Sequence, residues 1–458
     1  MATPPVRSPE TPGSDSDAAL PLQTILIYAA PSFGGGLMFL LFLLYMMKFA
    51  TDVLLIAPAT IGLIFGLSRI WDAVSDPLAG FLSDRTRTRW GRRRPWLLAS
   101  ALPVGIFYVM AWSPPRALEG DALAIWMAIA IFGWFTGITM FAVPHASLGA
   151  ELSSNYLERN RVFGIRQMLW GLGSMLAPVG LYLLTTSPDP RATASWLSVA
   201  IAIGVAILVV IPVVRLRERP EFQSRGPERP LQALRDVAKN PHARLLLTVF
   251  FVENVGTGAM GVLAPYVIEY VTGKPQMLAF FLPLYFVPMV ASIPLWMRLG
   301  RRFEKKHLWL FAMGMSGTAW GSLFFLGAEH VPVLLCAGAV AGVAGGCGAM
   351  LSPSIQADII DWDELQTGER KEGTYYAAWN FVQKSANGVV VMSAGFVLEL
   401  TGFVPNVEQT ESVKFALSAL FGLMPFICYS IGIIVFSRFR LTASEHARIR
   451  LALDRRNS

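Results

Sequence analysis

The sequence predicts an all-α integral membrane protein with twelve transmembrane helices arranged as two parallel six-helix repeats. Of its 458 residues, 54% are hydrophobic and only 15% are charged, whereas water-soluble domains carry roughly 25% charged residues. Twelve segments are long and apolar enough to cross a bilayer core, which takes roughly 20 residues per helix. Similar motifs also recur at an offset of about 210 to 217 residues, which indicates a duplicated bundle.

The apolar segments define the elements in chain order. All three cysteines lie inside such segments, where a thiol is typical of packing rather than of a disulfide or a metal site. The predicted helices lie near residues 23–47, 56–82, 95–113, 121–147, 161–186, 194–214, 243–271, 276–297, 308–328, 331–355, 374–400 and 412–437.

The distribution of basic residues predicts the topology. Residues 1–22 form a polar tail, which we expect to be disordered and not a cleaved signal. Two six-helix bundles follow at 23–214 and 243–437, joined by the basic cytoplasmic linker 215–242. A basic tail occupies residues 438–458. If the amino terminus is cytoplasmic, 30 of the 38 Lys and Arg residues lie on the cytoplasmic side. This bias places both termini in the cytoplasm and the protein in the inner (cytoplasmic) membrane, in contact with lipid. It also accounts for the net charge without a nucleic-acid partner, and we expect a monomer.

Internal repetition supports the duplication. Helix 2 ends in Asp-Pro-Leu (76–78) and is followed by Gly-Arg-Arg (91–93), while helix 8 ends in Ile-Pro-Leu (293–295) and is followed by Gly-Arg-Arg (300–302). Helices 4 and 10 match in a similar way. Two halves in the same orientation are typical of the major facilitator architecture.

Two stretches carry a more specific resemblance. Residues 69–96 read Arg-Ile-Trp-Asp-Ala-Val-Ser-Asp-Pro-Leu-Ala-Gly-Phe-Leu-Ser-Asp-Arg-Thr-Arg-Thr-Arg-Trp-Gly-Arg-Arg-Arg-Pro-Trp, and residues 357–373 read Ala-Asp-Ile-Ile-Asp-Trp-Asp-Glu-Leu-Gln-Thr-Gly-Glu-Arg-Lys-Glu-Gly. Together with Lys384 in helix 11, they resemble the glycoside-pentoside-hexuronide:cation symporters, the melibiose permease-like family. The resemblance implies symport of a small-molecule solute with Na⁺, H⁺ or Li⁺ by alternating access, with no other cofactor.

Helix 2 carries the predicted cation site. Asp72 and Asp76 lie one turn apart on one helical face, beside Ser75 and near mid-membrane. Two carboxylates in hydrocarbon are costly unless a cation neutralises them, as Na⁺ or H⁺ would. The alternative is a packing network in which Arg69 and Arg166 pair with the acids.

The family resemblance adds to this site and leaves the ion open. It implies that the helix 2 acids bind the cation together with a hydroxyl that matches Thr139 in helix 4. Ser75 occupies a position where family members often have Asn, so the choice between Na⁺ and H⁺ stays open. No other metal site is predicted.

The segment from Gly80 to Arg94 is expected to act in gating. Asp84, after Gly80, precedes a dense arginine loop that includes Arg85 and Arg92. These groups are suited to charge-assisted bonds with neighbouring helix ends that hold the cytoplasmic side shut; the alternative is that the charges only set topology. A second latch is predicted at Asp358, Asp361 and Arg370.

The solute site differs from the family pattern. The resemblance implies sugar-binding carboxylates on helices 1 and 4, but the matching positions are Gly36, Ala142 and Ala146. Losing charge-assisted hydrogen bonds worth roughly 1.5 to 3 kcal/mol each disfavours a galactoside. The cations predicted in the cavity would suit a uronide, an acidic terpenoid or steroid, or a lysolipid. The remaining predicted cavity residues are His145, Arg166, Glu253, Asn254, Trp379, Asn380 and Lys384.

Two of these residues have open alternatives. His145 is either a ligand or a packing residue. Glu253 is either a proton carrier or a burial partner of Lys384.

Other function classes fit the sequence less well. It contains no His-Glu-x-x-His, Gly-x-Ser-x-Gly or P-loop motif, so we expect no enzyme. A receptor has no need of paired intramembrane acids in a duplicated fold.

Overall fold

The computed structural model describes residues 20–152, 156–216, 218, 237–325, 331–368 and 372–457. Nearly all of the tail predicted at 1–22, most of linker 215–242 and Arg370 lie outside these residues. The helices are α1 (Leu22–Lys48), α2 (Pro58–Arg85), α3 (Arg94–Trp112), α4 (Gly120–Glu151), α5 (Tyr156–Ser174), α6 (Ala177–Thr186), α7 (Pro190–Arg215), α8 (Pro241–Tyr266), α9 (Leu278–Leu299), α10 (Lys305–Ser322), α11 (Val331–Thr367), α12 (Glu372–Leu400), α13 (Glu411–Ser418), α14 (Met424–Phe436) and α15 (Ala443–Asn457).

Ten helical segments among the described residues are long and apolar enough to cross a membrane. One of them combines α5 with α6, and another joins α13 to α14 through a π-helical turn. The remaining candidates are α2, whose middle carries Arg69, Asp72 and Asp76, and α9, which has 22 residues and three internal prolines. With these two the count agrees with the twelve predicted spans.

The helices pack in the same pattern in each half of the chain. In the first half, α1 packs against α5 and α7, α3 against α4 and α7, and α2 against α4. In the second half, α8 packs against α12 and α14, α10 against α11 and α14, and α9 against α11. These pairs involve corresponding helices in the same order along the chain. The prediction of two parallel six-helix repeats is therefore confirmed.

The two halves meet closely at the end where α1 ends and α2 begins, which we call the closed end. There α2 packs on α12, α1 on α8 and α6 on α9. The start of α2 and the end of α12 are in close contact. A Cβ added at Gly395 would lie only 2.3 Å from the carbonyl oxygen of Pro58, so no larger residue fits there without a shift of the backbone. At the opposite end, which we call the open end, the polar contacts found between described residues join elements of the same half.

Candidate cation and solute site

A cluster of two acids and two cations joins α2 to α12 in the middle of the molecule. Arg69 Nη1 donates to Asp72 Oδ2 at 3.1 Å. Lys384 Nζ lies 2.6 Å from Asp76 Oδ2 and 3.6 Å from Asp72 Oδ2. Thr139 of α4 donates to Asp76 Oδ1 at 2.7 Å. The cluster therefore brings three helices and both halves together with no net charge.

The two acids differ in their access to solvent. The side chain of Asp72 is 3% exposed, whereas those of Asp76 and Lys384 are 32% and 31% exposed. Asp76 lies one turn further from the closed end than Asp72. This gradient indicates that the cluster is reached from the open end.

Two buried oxygen atoms in the cluster have no hydrogen-bond donor within the described part of the chain. They are Asp72 Oδ1 and Ser75 Oγ, one helical turn apart on α2. A buried polar atom without a partner is rare in folded proteins, and a binding site for an ion is one explanation. With the oxygens of Asp76 and Thr139, they provide a set of hard oxygen ligands of the kind that alkali and alkaline-earth cations prefer.

Arg69 is held in place on two sides. Its guanidinium group lies 3.3 Å from the centroid of the Phe135 ring, and its aliphatic stem packs against Gly388 of α12. Of the two arginines proposed for a packing network, Arg69 therefore pairs with an acid of the site. Arg166 does not; it lies near Tyr28 and His145 and has no ion pair with any described residue.

Lys384 and Glu253 differ from the sequence-based expectation. Lys384 was predicted as a cation of the solute cavity, but its ammonium group is paired with Asp76 and lies near Asp72. The alternative pairing of Glu253 with Lys384 is wrong, because Glu253 Oε1 accepts a hydrogen bond from Trp309 at 3.2 Å instead.

Gly36 does not face a cavity. A Cβ at this position would lie 2.1 Å from the carbonyl oxygen of Trp170, so Gly36 serves the close packing of α1 on α5. His145 is fully buried between the rings of Tyr28 and Phe141, and its Nε2 lies 2.8 Å from the Tyr28 carbonyl oxygen. These contacts favour the packing alternative for His145.

The other predicted cavity residues occupy varied environments. Ala142 and Ala146 are half-buried on α4. Trp379 is buried against the ring of Tyr375, and Asn380 beside it is exposed. The Asn254 amide donates to the carbonyl oxygen of Phe250 in its own helix at 2.7 Å.

Comparison with known proteins decides the family. Residues 27–443 match the family described as MFS/sugar transport protein. The chain belongs to this family. It is 26% identical to the isoprimeverose transporter of Lactiplantibacillus pentosus, over 91% of this chain and 88% of that protein. It is 25% identical to the sodium-dependent lysophosphatidylcholine symporter 1-A of Danio rerio, over 86% of this chain and 81% of that protein.

A solved structure shows the same fold. The bacterial homologue of the human lysosomal transporter Spinster, in an inward-facing and unoccupied conformation, aligns with a TM-score of 0.66 at 14% identity. The alignment covers 91% of this chain and 98% of that one. The chain is therefore a multi-pass membrane protein with the major facilitator fold, and its family consists of transporters rather than enzymes.

The gating residues predicted in this MFS transporter form two clusters at the open end, one in each half. Asp84 is ion-paired with Arg93, and Arg92 Nη2 lies 2.7 Å from Glu151 Oε1 at the end of α4. The backbone N–H groups of residues 92–94 donate to Glu218. Gly80 faces α4, and the exposed Arg85 stacks on Phe81. Sequence reasoning missed both Glu151 and Glu218.

The second cluster involves the carboxyl-terminal helix. Asp358 Oδ2 lies 2.6 Å from Lys305 Nζ at the start of α10. His446 of α15 contacts both acids of the predicted latch, at 3.5 Å from Asp358 and 3.0 Å from Asp361. The tail predicted at 438–458 thus contains a helix that packs on α11, which the sequence analysis did not anticipate.

A further polar network, missed by sequence reasoning, lies at the closed end. Lys48 is ion-paired with Asp52 at the end of α1 and lies 3.0 Å from Glu269 beyond α8. Tyr270 donates to Asp52 at 2.6 Å, and the Asn406 amide donates to the Asp52 carbonyl oxygen at 2.7 Å. The signal in the sequence was the i,i+4 pair of Lys48 and Asp52 at the end of an apolar run.

Proposed function

We propose that this transporter is a cation-coupled symporter of a sugar glycoside or uronide, working by alternating access in the inner membrane. The observation that carries the proposal is the cluster of Asp72, Asp76, Thr139 and Lys384. The buried Asp72, the partly exposed Asp76, two unmatched oxygen atoms and a tethered ammonium group together are suited to binding a mobile cation. The family description and the isoprimeverose transporter support a sugar as the solute.

Coupling follows from competition between two cations for Asp76. In the state described here, Lys384 of α12 neutralises Asp76 of α2 and so holds the two halves together. A Na⁺ or H⁺ that binds Asp72 and Asp76 neutralises the same charge and frees Lys384. The freed lysine no longer holds α12 against α2, so cation binding changes the relative stability of the two conformations.

The positive-inside bias supports an orientation for this state. With both termini in the cytoplasm, the closed end faces outward and the open end faces the cytoplasm. The state is then inward-facing. In that orientation, the Lys48–Asp52–Glu269 network closes the outer side, and the two clusters around Asp84 and Asp358 are the groups available to close the inner side in the opposite state.

An amphipathic anion or a lysolipid is the second candidate solute. Arg166 is a half-buried cation without an ion pair among the described residues, which suits an anionic group of a solute. The positions that would carry sugar-binding acids are Gly36, Ala142 and Ala146. The sodium-dependent lysophosphatidylcholine symporter is a relative over most of the chain.

Counterflow in proteoliposomes tests the proposal. Purified protein is reconstituted, and exchange of labelled isoprimeverose, methyl glucuronide and lysophosphatidylcholine is measured with and without Na⁺ and across pH. We expect exchange of one of the two sugars, with a cation gradient driving accumulation. Exchange of lysophosphatidylcholine alone would favour the second candidate. Absence of any exchange from vesicles with correctly inserted protein would contradict symport of these solutes.

A further inference from the structure

The carboxyl group of Glu253 lies in the second half of the molecule and takes no part in the transport steps proposed above. It projects from the middle of α8, and its side chain is half-buried. Its Oε1 accepts a hydrogen bond from Trp309 Nε1 of α10 at 3.2 Å. On the other side, Gly432 of α14 lies against its Cγ. The group therefore lies inside the second bundle, between α8, α10 and α14.

The described groups around Glu253 carry no positive charge. The titratable side chains in its neighbourhood are Cys347 of α11 and Tyr429 of α14, and Tyr285 of α9 lies in the neighbourhood of Tyr429. Thiol and phenol groups are ordinarily neutral at physiological pH. No described lysine, arginine or histidine forms an ion pair with Glu253.

This environment favours the neutral form of the carboxyl group. An ionised carboxylate inside a membrane protein requires a cation, several hydrogen-bond donors or water. The described contacts offer Glu253 one neutral N–H donor. A movement of α8, α10 and α14 that admits water would allow the group to exchange a proton.

We propose that Glu253 is a proton-binding site in the second half, separate from the cation site on α2, and that it binds and releases a proton during the transport cycle. The inference rests on the proposed symport function. The protonated form fits the state described here, with its single donor from Trp309. The ionised form requires a conformation that admits water or a cation beside Glu253.

Infrared difference spectroscopy of the purified full-length protein, titrated with acid and base in the absence of solute, tests the site directly. We expect the wild type to show the C=O stretching band of a protonated carboxyl group at neutral pH, and Glu253→Gln to lose it. Glu411→Gln is the matched control, because the Glu411 side chain is 91% exposed. That substitution is expected to leave the band unchanged.

A second variant keeps the test valid if Glu253→Gln does not fold. Trp309→Phe retains the carboxyl group and removes its donor, so the band is expected to shift to higher frequency. If Glu253 is only an ionised hydrogen-bond acceptor, neither the wild type nor Trp309→Phe shows this band. The inference is overturned if no carboxyl band of the wild type is lost in Glu253→Gln or shifted in Trp309→Phe.

Transport then tests the role of the proton. At saturating Na⁺, uptake of whichever sugar shows counterflow is expected to vary with pH in the wild type, and this dependence is expected to be lost in Glu253→Gln. Na⁺-driven uptake with an unchanged pH profile in Glu253→Gln would overturn the proton role and leave the symport proposal standing. Failure of all solutes to exchange would contradict symport, while the infrared result would remain valid.

Discussion

At the scale of residues, the α2 site contains two acids and two cations, and the two cations differ in how firmly they are held. Arg69 is fixed by the Phe135 ring and pairs with the buried Asp72 within one turn of the same helix. Lys384 reaches Asp76 from another helix and is about one-third exposed. A mobile cation is therefore expected to replace Lys384 more readily than Arg69.

Removing the charge of Asp72 is expected to uncouple transport. Asp72→Asn keeps the shape and deletes the charge, so cation-driven accumulation is expected to be abolished while solute exchange without a gradient persists. Asp76→Asn is expected to behave similarly. The measurement is uptake in energised vesicles, together with calorimetric solute binding across Na⁺ concentration, where the wild-type enhancement is expected to be about 5- to 150-fold.

The control for the acid variants is Asp84→Asn, at the open end. This substitution is expected to slow turnover and to leave cation stimulation of solute binding intact. If Asp72→Asn still concentrates solute with unchanged cation dependence, Asp72 and Asp76 are structural.

Removing Lys384 is expected to strengthen the response to Na⁺. In Lys384→Gln no tethered ammonium competes for Asp76, so NaCl is expected to raise the melting temperature more than in the wild type, relative to choline chloride. Lys414→Gln is the matched control, because the pairs of Lys414 with Glu408 and Glu411 lie at the surface, where ion pairs contribute little to stability. An unchanged or smaller Na⁺ response in Lys384→Gln would contradict the competition.

Arg166 is expected to act on solute rather than on folding. Since it has no ion pair among the described residues, Arg166→Ala is expected to leave membrane levels near normal and to weaken binding of an anionic solute at least severalfold. Binding is measured by calorimetry with the solute found in counterflow. Full activity of Arg166→Ala with every transported solute would show that its proposed role is wrong.

At the scale of elements, the ends of α1 and α8 are built alike. Each helix continues into a π-helical turn, at Phe49–Val53 and Val267–Val271. These turns carry Asp52 and Glu269, which meet at Lys48 across the interface of the halves. π-helical turns are frequent at functional sites, and here they place the polar groups that join the two halves at the closed end.

Substituting Lys48 is expected to favour opening of the closed end. Lys48 is buried, and removing one partner of a buried ion pair costs about 3 to 5 kcal/mol. Lys48→Met leaves Asp52 and Glu269 without their cation, so the state closed at this end is destabilised. A cysteine introduced at Thr51 in a Lys48→Met background is expected to react faster with an impermeant thiol reagent than the same cysteine alone. Equal rates would contradict a latch at this end.

At the scale of the whole molecule, two bundles with matching helix contacts meet at one end and carry the charged cluster between them. An arrangement of this kind allows one bundle to rock against the other about a central site. We propose that the polar contacts at the closed end and the separate clusters at the open end are alternative closures. Which end faces the cytoplasm is set by the distribution of basic residues.

The orientation is tested by labelling intact cells. A cysteine at Arg225, in the basic linker, is expected to be protected from an impermeant reagent, whereas one at Glu408, in the exposed loop between α12 and α13, is expected to react. Ready modification at position 225 would contradict cytoplasmic termini and linker. The native cysteines at 336, 347 and 428 are replaced beforehand.

The sequence by itself determined the features that depend on one helix or on overall composition. Span length and apolarity gave the twelve helices, the repeated motifs gave the two halves, and the spacing of Asp72 and Asp76 placed both acids on one face of α2. The family resemblance, which the comparisons confirm, indicated a symporter. The roles of the individual site residues stay predictions.

Only the tertiary structure decided which groups meet across helices. The partner of Lys384 is Asp76, 308 positions away, Gly36 packs on α5, and Glu253 binds Trp309. These contacts depend on how each helix is rotated and tilted against its neighbours, which periodicity along a uniformly apolar segment does not specify. The same physical reason hid the rest of the closed-end network, because Glu269, Tyr270 and Asn406 reach Lys48 and Asp52 only once the two halves are packed together.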